Sequence, residues 1–228
     1  MPSFVQSSTP RRRTTVWLLL AATLFLATGT VACSRLAGQN SGDERDAWQH
    51  PEQVMDALGV KPGSAVGDVG CGRGYFTFKL ANRVGPSGKV YAEDVKDDQI
   101  AEIRRQAKEK GLSQIEAITG TDSDPHLPAG ALDAVLIVDA YHEMHQYDAM
   151  LAAIYRALKP GGMLALIDGK AEPGKSREDY YSRHRMPEEI ERQDAQRNGF
   201  RFLRQEPGFV RPEPKKEYYF LIFQKPGS

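Results

Sequence analysis

Two cysteines, Cys33 and Cys71, are the whole thiol inventory of a 228-residue chain. One disulfide at most could form, so a scaffold held by cross-links is excluded and the fold must rest on packing. A charge excess is missing too: 30 basic side chains face 30 acidic ones, for a formal net charge of zero. That removes the basic footprint expected of a nucleic-acid binder. Arg185, Arg192, Arg197, Arg201 and Arg204 do follow one another, but Glu188, Glu189, Glu191 and Asp194 are interleaved with them. Such a run reads as a solvated helix face, and no nucleic-acid partner is expected. Internal repeats and low-complexity blocks are absent.

The long apolar run Val16–Ala27 stands at the start of the chain, after Arg11, Arg12 and Arg13 and before Thr30-Val31-Ala32-Cys33. A charged n-region, a short apolar stretch and small residues are the layout of a secretory signal, which places residues 1–32 outside the fold. The small residues before the cysteine resemble the lipobox of bacterial lipoproteins, with Thr30 where leucine is commonest. The resemblance implies cleavage before Cys33 and lipidation of that thiol. The alternative is an uncleaved anchor helix. Either way the arginines stay inside and the domain faces outward from the cell envelope, on its periplasmic or outer side. Residues 33–45 are small, polar and charged, as in a flexible tether. The domain is expected to occupy residues 46–228.

From Asp46 the texture changes. Trp48, Val54, Met55, Leu58 and Val60 predict one short amphipathic helix. Strands and helices then alternate. Strands are expected at Ala65–Val69, Lys89–Asp94, Ile115–Ile118, Ala134–Val138 and Met163–Ile167, with helices at Tyr75–Val84, Asp97–Lys110, Tyr147–Leu158 and Pro187–Asn198. The run Lys159-Pro160-Gly161-Gly162 is expected to close the helix before the fifth strand. Phe200–Leu203 and Tyr218–Phe223 complete a strand pair, the last one antiparallel. The pattern predicts an α/β fold: a doubly wound, mostly parallel seven-stranded sheet with helices on both faces.

The stretch VGDVGCGRGYF, residues 66–76, puts Gly70, Gly72 and Gly74 where the first strand turns into the first helix. In doubly wound sheets ligands bind at that turn, and residues without Cβ admit a ligand close to the backbone. A dinucleotide fingerprint needs a third glycine at position 75 or 77, where Tyr75 and Thr77 stand. The spacing present is Asp68-x-Gly70-x-Gly72-x-Gly74. An acid there opposes a pyrophosphate and suits a ligand with a cationic amine. Asp94, about 20 residues beyond the loop, lies where a carboxylate accepts ribose hydroxyls, while strand alternation points Glu93 away from the pocket. These features, with LDAVLIVDAYHEM and LKPGGMLALID, resemble the class I S-adenosylmethionine (SAM) methyltransferases, over roughly Trp48–Asp168. More loosely, they resemble the small-molecule branch of ubiquinone and menaquinone biosynthesis, in which exported relatives share an AYHE-like segment. The resemblance implies SAM as cofactor, a small-molecule acceptor, and cofactor contacts from Asp68, Gly70, Gly72, Gly74, Asp94 and Asp139. It leaves the adenine contact open between Asp122 and Asp124.

In that family the residues ending the fourth strand, here Asp139, Tyr141, His142 and Glu143, face the transferred methyl. His142 is the expected base or acceptor-orienting group, and Tyr141 is expected to line the methyl path. HEMH, residues 142–145, is one residue short of the H-E-x-x-H metal spacing, and no metal is expected. His184 and Arg185, with Tyr180 and Tyr181, fall where an acceptor lid often lies. Cys71 is expected to pack, with Arg73 near enough to lower its pKa. An exported domain is separated from cytosolic SAM, so a non-catalytic envelope lipoprotein that binds SAM, a nucleoside or a lipid-like ligand stands as the alternative. The acceptor and the oligomeric state are not legible.

Overall fold

Seven strands form one sheet in the order β3-β2-β1-β4-β5-β7-β6. They are β1 (Ala65–Val69), β2 (Lys89–Asp94), β3 (Ile115–Thr119), β4 (Leu132–Val138), β5 (Leu158–Gly169), β6 (Arg201–Arg211) and β7 (Lys216–Gln224). The first five pair in parallel, while β7 runs antiparallel to both β5 and β6. The sheet therefore has the doubly wound, mostly parallel form that the alternating pattern predicts, with β7 antiparallel. The chain winds outward from β1 through β2 to β3, then returns to β4 on the other side of β1. The crevice above β1 and β4 is the switch point where such folds bind ligands.

The computed structural model describes residues 40–227, with side chains from Glu44 onward, and the unit beginning at Glu44 is treated by itself. The expected signal segment, Cys33 and most of the expected tether lie outside the described residues. Among those described, no helix is long and apolar enough to cross a membrane.

Helices α1 (Asn40–Gln49) and α2 (Pro51–Ala57) replace the single helix expected over this region. The break is at His50, which takes φ 46°, ψ 59° ahead of Pro51. Proline disfavours the α conformation in the residue before it, so the chain turns there and Pro51 starts the next helix. Residues 40–45, assigned to the tether, lie within α1. Its Asp46 accepts from Tyr75 Oη at 2.5 Å and pairs with Lys79 Nζ at 2.6 Å, and the Arg45 guanidinium lies over the Tyr75 ring at 3.8 Å.

The apolar run of β4 has a simple cause. Ala134 and Leu136 enter one core cluster with Leu80 of α3 (Tyr75–Val84) and Val54 of α2. Val135 and Ile137 enter the other with Leu151 and Ile154 of α5 (Tyr147–Ala157). Alternate residues point to opposite faces, so a central strand covered by helices on both sides must be apolar throughout. Helix α4 (Asp97–Lys110) covers the β2–β3 edge through Ile100 and Ile103. The Lys159–Gly162 turn does not separate helix from strand as expected. It lies inside β5, where Gly161 N–H donates to Lys225 O and Lys225 N–H donates to Gly162 O, both at 2.9 Å. Pairing with the chain end just beyond β7 overrides the local turn chemistry.

Between β5 and α7 (Glu188–Arg197) stands a short helix that sequence periodicity did not suggest, α6 (Arg177–Tyr181). A Ser176/Asp179 capping box starts it. Its Tyr180 is buried, donates to Glu172 O at 3.0 Å and accepts from Lys175 N–H at 2.9 Å. The segment is pinned by an aromatic side chain.

Candidate active site

Gly70, Gly72 and Gly74 all take left-handed backbone angles, φ 70°, 52° and 83°. Gly70 has no alternative: a Cβ there would stand 2.6 Å from Ala140 Cβ at the end of β4. The missing side chain lets the elbow after β1 close against β4. Asp94 Oδ2 accepts from Gly72 N–H at 3.0 Å, and Oδ1 accepts from Lys96 N–H at 3.0 Å. The carboxylate at the end of β2 thereby fixes the elbow and keeps lone pairs for a ligand.

A cavity of about 270 Å³ opens over this elbow. Gly70, Gly72, Asp94, Asp122 and Asp139 line it, together with Glu93, Glu143, Met144 and His145. Of the two candidates for the adenine contact, Asp122 is in the wall. Asp124 instead accepts from His126 N–H at 2.8 Å and takes part in the Thr121 turn. Glu93 is a correction: it belongs to the wall even though alternation points it away. Burial, and then the nearby Asp94 and Asp68 carboxylates, push its carboxyl up to about 8, against a lowering contribution from the Gly70 amide. Gly120 makes the space, since a Cβ there would lie 1.9 Å from Glu93 Oε1.

Asp68 is not among the cavity-lining residues. It is buried behind the elbow and accepts from Thr77 Oγ1 at 2.6 Å. Burial pushes its pKa up to about 6, against the opposing pull of Thr77 and the Arg45 charge. Cys71 is also corrected: burial first, then the carboxylates of Asp68, Asp94 and Glu93, raise its thiol pKa, and Arg73 does not lower it. A buried thiol of that kind packs and does not react.

At the mouth, Asp139 takes φ 54°. Its Oδ1 lies 2.6 Å from Lys216 Nζ, and Tyr218 Oη donates to Oδ2 at 3.3 Å. Lys216 reaches it across the end of β5 because Gly169 lacks a Cβ, which would meet Lys216 Cε at 2.0 Å. The 3-10 turn Tyr141–Glu143 follows and sends neighbouring side chains in opposite senses. Tyr141 does not line the methyl path. It is 1% exposed, sits in the α5-side core and donates to Asp194 Oδ2 at 2.9 Å. Burial and the Asp194 charge raise its phenol pKa, which removes it from acid–base chemistry.

His142 turns the other way. Its Nδ1 lies 2.8 and 2.9 Å from the two oxygens of Asp168, and its main-chain N–H donates to Asp168 Oδ2 at 3.0 Å. Gly169 N–H donates to Asp168 Oδ1 at 2.6 Å. In the neutral ring, a carboxylate fully withdrawn from solvent makes Nδ1 the protonated nitrogen, and Nε2 then carries the lone pair. That lone pair faces His184 Nδ1 at 3.2 Å and Glu143 Oε1 at 3.8 Å. The arrangement is an oriented imidazole that is 1% exposed and not itself among the cavity-lining residues; its neighbour Glu143 is in the wall. His145 does not join it; its ring lies against Tyr181, centroids 4.5 Å apart. Behind Asp168, Glu191 is completely buried with neither carboxyl oxygen hydrogen-bonded. Burial and the neighbouring Asp168 hold its pKa well above the usual range.

Asp168 and Glu191 were not singled out from sequence. Asp168 left one signal, a carboxylate ending an apolar strand; Glu191 left none, being one acid among several in a charged helix.

The fold is the Rossmann-like fold of methyltransferases. The chain aligns with a SAM-dependent methyltransferase from Aquifex aeolicus at TM-score 0.64 and 25% identity, covering 78% of this chain and 92% of that one. The cyclase SpnF shares the fold at TM-score 0.68 and 21% identity, over 78% and 81% of the two chains. Residues 66–162 match the profile of a family described as a methyltransferase domain. Nocamycin O-methyltransferase of Saccharothrix syringae is 33% identical over 126 residues, 55% of this chain and 45% of that protein. Demethylmenaquinone methyltransferase of Listeria welshimeri is 32% identical over 117 residues, 51% and 50% of the two. The chain thus spans about half the length of the curated relatives it matches.

Proposed function

We propose that the protein is a SAM-dependent methyltransferase acting on a small molecule. One observation carries the reading: a left-handed glycine elbow, fixed by Asp94 and closed against β4, lies under a cavity at the switch point of the sheet. The donor set fits the cofactor. Asp94 suits ribose hydroxyls, Asp122 the adenine edge, and the elbow amides the amino-acid end. Asp139, already paired with Lys216, and Glu93, whose ionised form a nearby cation would favour, are the carboxyl groups nearest to the cationic amine and sulfonium, with Asp68 behind them. SAM, when bound, supplies a methyl group on a sulfonium. The protein's own part is to hold the acceptor in line and exclude water, which can supply about 7–11 kcal/mol of the barrier. His142, oriented by Asp168, steers or deprotonates the acceptor atom.

A second cavity of about 610 Å³ adjoins the end of β5 and is lined by Lys170, Lys175, Arg183, Arg185 and Lys215, against Glu172 and Glu217. It shares no lining residue with the first cavity, and its basic excess would suit a ligand that carries negative charge. The arginine-led apolar run and Cys33 support lipid anchoring at the cell envelope, with the domain outside the cytosol.

Titration calorimetry of the purified chain with SAM, S-adenosylhomocysteine and NAD tests the reading. Binding of both adenosyl compounds and not of NAD is expected, followed by transfer of labelled methyl to members of an acidic small-molecule panel. Failure to bind SAM ends the proposal; binding without transfer to any panel member supports the non-catalytic binding alternative. Lipidation at Cys33 is checked by mass spectrometry of the mature N-terminus.

A further inference from the structure

We infer that His142, Glu143 and His184 form a site for a divalent transition-metal ion of the zinc type, next to the cavity wall at Glu143. His142 Nε2, His184 Nδ1 and Glu143 Oε1 stand 3.2, 3.4 and 3.8 Å from one another. A tetrahedral ion with bonds of about 2.0–2.1 Å sets its ligand atoms about 3.3 Å apart, so the triangle is already near the required size. Two histidines and a glutamate are a donor set that zinc uses where it keeps a position open for chemistry.

The protonation logic points the same way. Asp168 holds the His142 Nδ1 proton, which leaves Nε2 as a lone pair aimed at the other two donors. A carboxylate that holds a histidine's second nitrogen is the recurring outer partner of a metal-bound imidazole. A cation would bind the three donor atoms together. The ligands are also placed by structure. His184 takes φ 51°, its N–H donates to Tyr181 O at 3.2 Å, and the segment before it is pinned by buried Tyr180. The side chains of Glu143 and His184 are 54% and 66% exposed, which leaves a face of the ion open.

A second donor triad, Asp139–His142–Asp168, is a poorer candidate. The Lys216 ammonium already occupies Asp139, and an ion there would displace the proton between Asp168 and Nδ1. When bound at the first site, a zinc ion would supply Lewis acidity to an oxygen or sulfur atom of the acceptor. The inference rests on the proposed function only for that role, not for the binding itself.

The test uses the untagged full chain, stripped with chelator, dialysed against zinc and assayed for bound metal. About one zinc per chain is expected, with affinity lowered at least tenfold in H184A and in E143A. Both sites are exposed, so folding is retained and is checked by circular dichroism. D168N should lower zinc affinity about 10–100-fold, the usual effect of losing an outer partner. Cobalt in place of zinc should give the intense visible bands of a four-coordinate site, lost in H184A. No bound zinc, or equal binding by wild type and both ligand variants, overturns the inference. SAM titration of the same samples separates the two ideas: loss of SAM binding alone strikes the proposed function, and loss of zinc binding alone strikes the metal site.

Discussion

Glu93→Gln is the most informative perturbation of the cofactor side. Glu93 is 1% exposed, has one oxygen without a hydrogen-bond partner and shares its surroundings with Asp68 and Asp94. Its carboxyl is raised from an ordinary 4.5 to about 8. The sign follows directly. The unfolded chain ionises at a lower pH than the folded one, so this group's stabilising contribution is full below about 4.5 and is lost as pH rises through about 8. A difference of 3.5 between those two values corresponds to about 5 kcal/mol at most. That is a large part of the 5–15 kcal/mol typical of a domain, so even half of it would be measurable. Asp68, raised to about 6, adds a slope of the same sign, so the wild-type curve alone does not isolate Glu93. The difference between two proteins does. Urea unfolding of wild type and Glu93→Gln at half-unit steps from pH 4.5 to 8.5 should give curves that diverge steadily, the variant gaining up to about 5 kcal/mol relative to wild type across the range. Parallel curves would refute the reasoning, because they would mean that Glu93 ionises in the folded protein as it does in the unfolded chain.

The other expectations are simpler. Asp94→Ala should weaken SAM binding by about 1–3 kcal/mol, the loss of a charged hydrogen-bond partner, as read by calorimetry. Gly70→Ala should cost about 2–4 kcal/mol in stability and abolish SAM binding, since it combines a left-handed angle with a 2.6 Å contact to Ala140 Cβ; near-neutral unfolding curves would contradict the elbow's closure on β4. Tyr141→Phe should lower stability by about 1 kcal/mol through loss of the Asp194 hydrogen bond and leave SAM affinity unchanged. A large fall in affinity with full stability would return Tyr141 to the methyl path.

Local rules served well where one physical demand dominated. The run AVLIV could only be a strand with both faces covered, and β4 is that strand. The glycine spacing after β1 could only serve a backbone that approaches something closely, and Gly70 closes on Ala140. The rules failed where two demands competed. Lys159-Pro160-Gly161-Gly162 carries turn chemistry, yet pairing with Gln224 and Lys225 draws it into β5. His50-Pro51 carried a break signal that the surrounding apolar periodicity obscured. Tyr141 and His142 are adjacent, and nothing in their types says which one a 3-10 turn will bury. Only the partners decide it, Asp194 for one and Asp168 for the other.

That contrast explains why the two halves of the site differ in legibility. The proposed cofactor half is made of main-chain amides and carboxylates within the β1–β2 unit or at most three residues beyond a strand. Their geometry is set by the α/β winding itself, so spacing along the chain carries it. The proposed acceptor half is made of side chains that arrive from separate segments. His142 follows β4, Asp168 ends β5, His184 closes the loop after α6, and Glu191 stands on α7. No spacing rule links them, because the intervening strands and loops can vary in length without moving the meeting point. Evolution can therefore exchange acceptor chemistry on a constant cofactor frame.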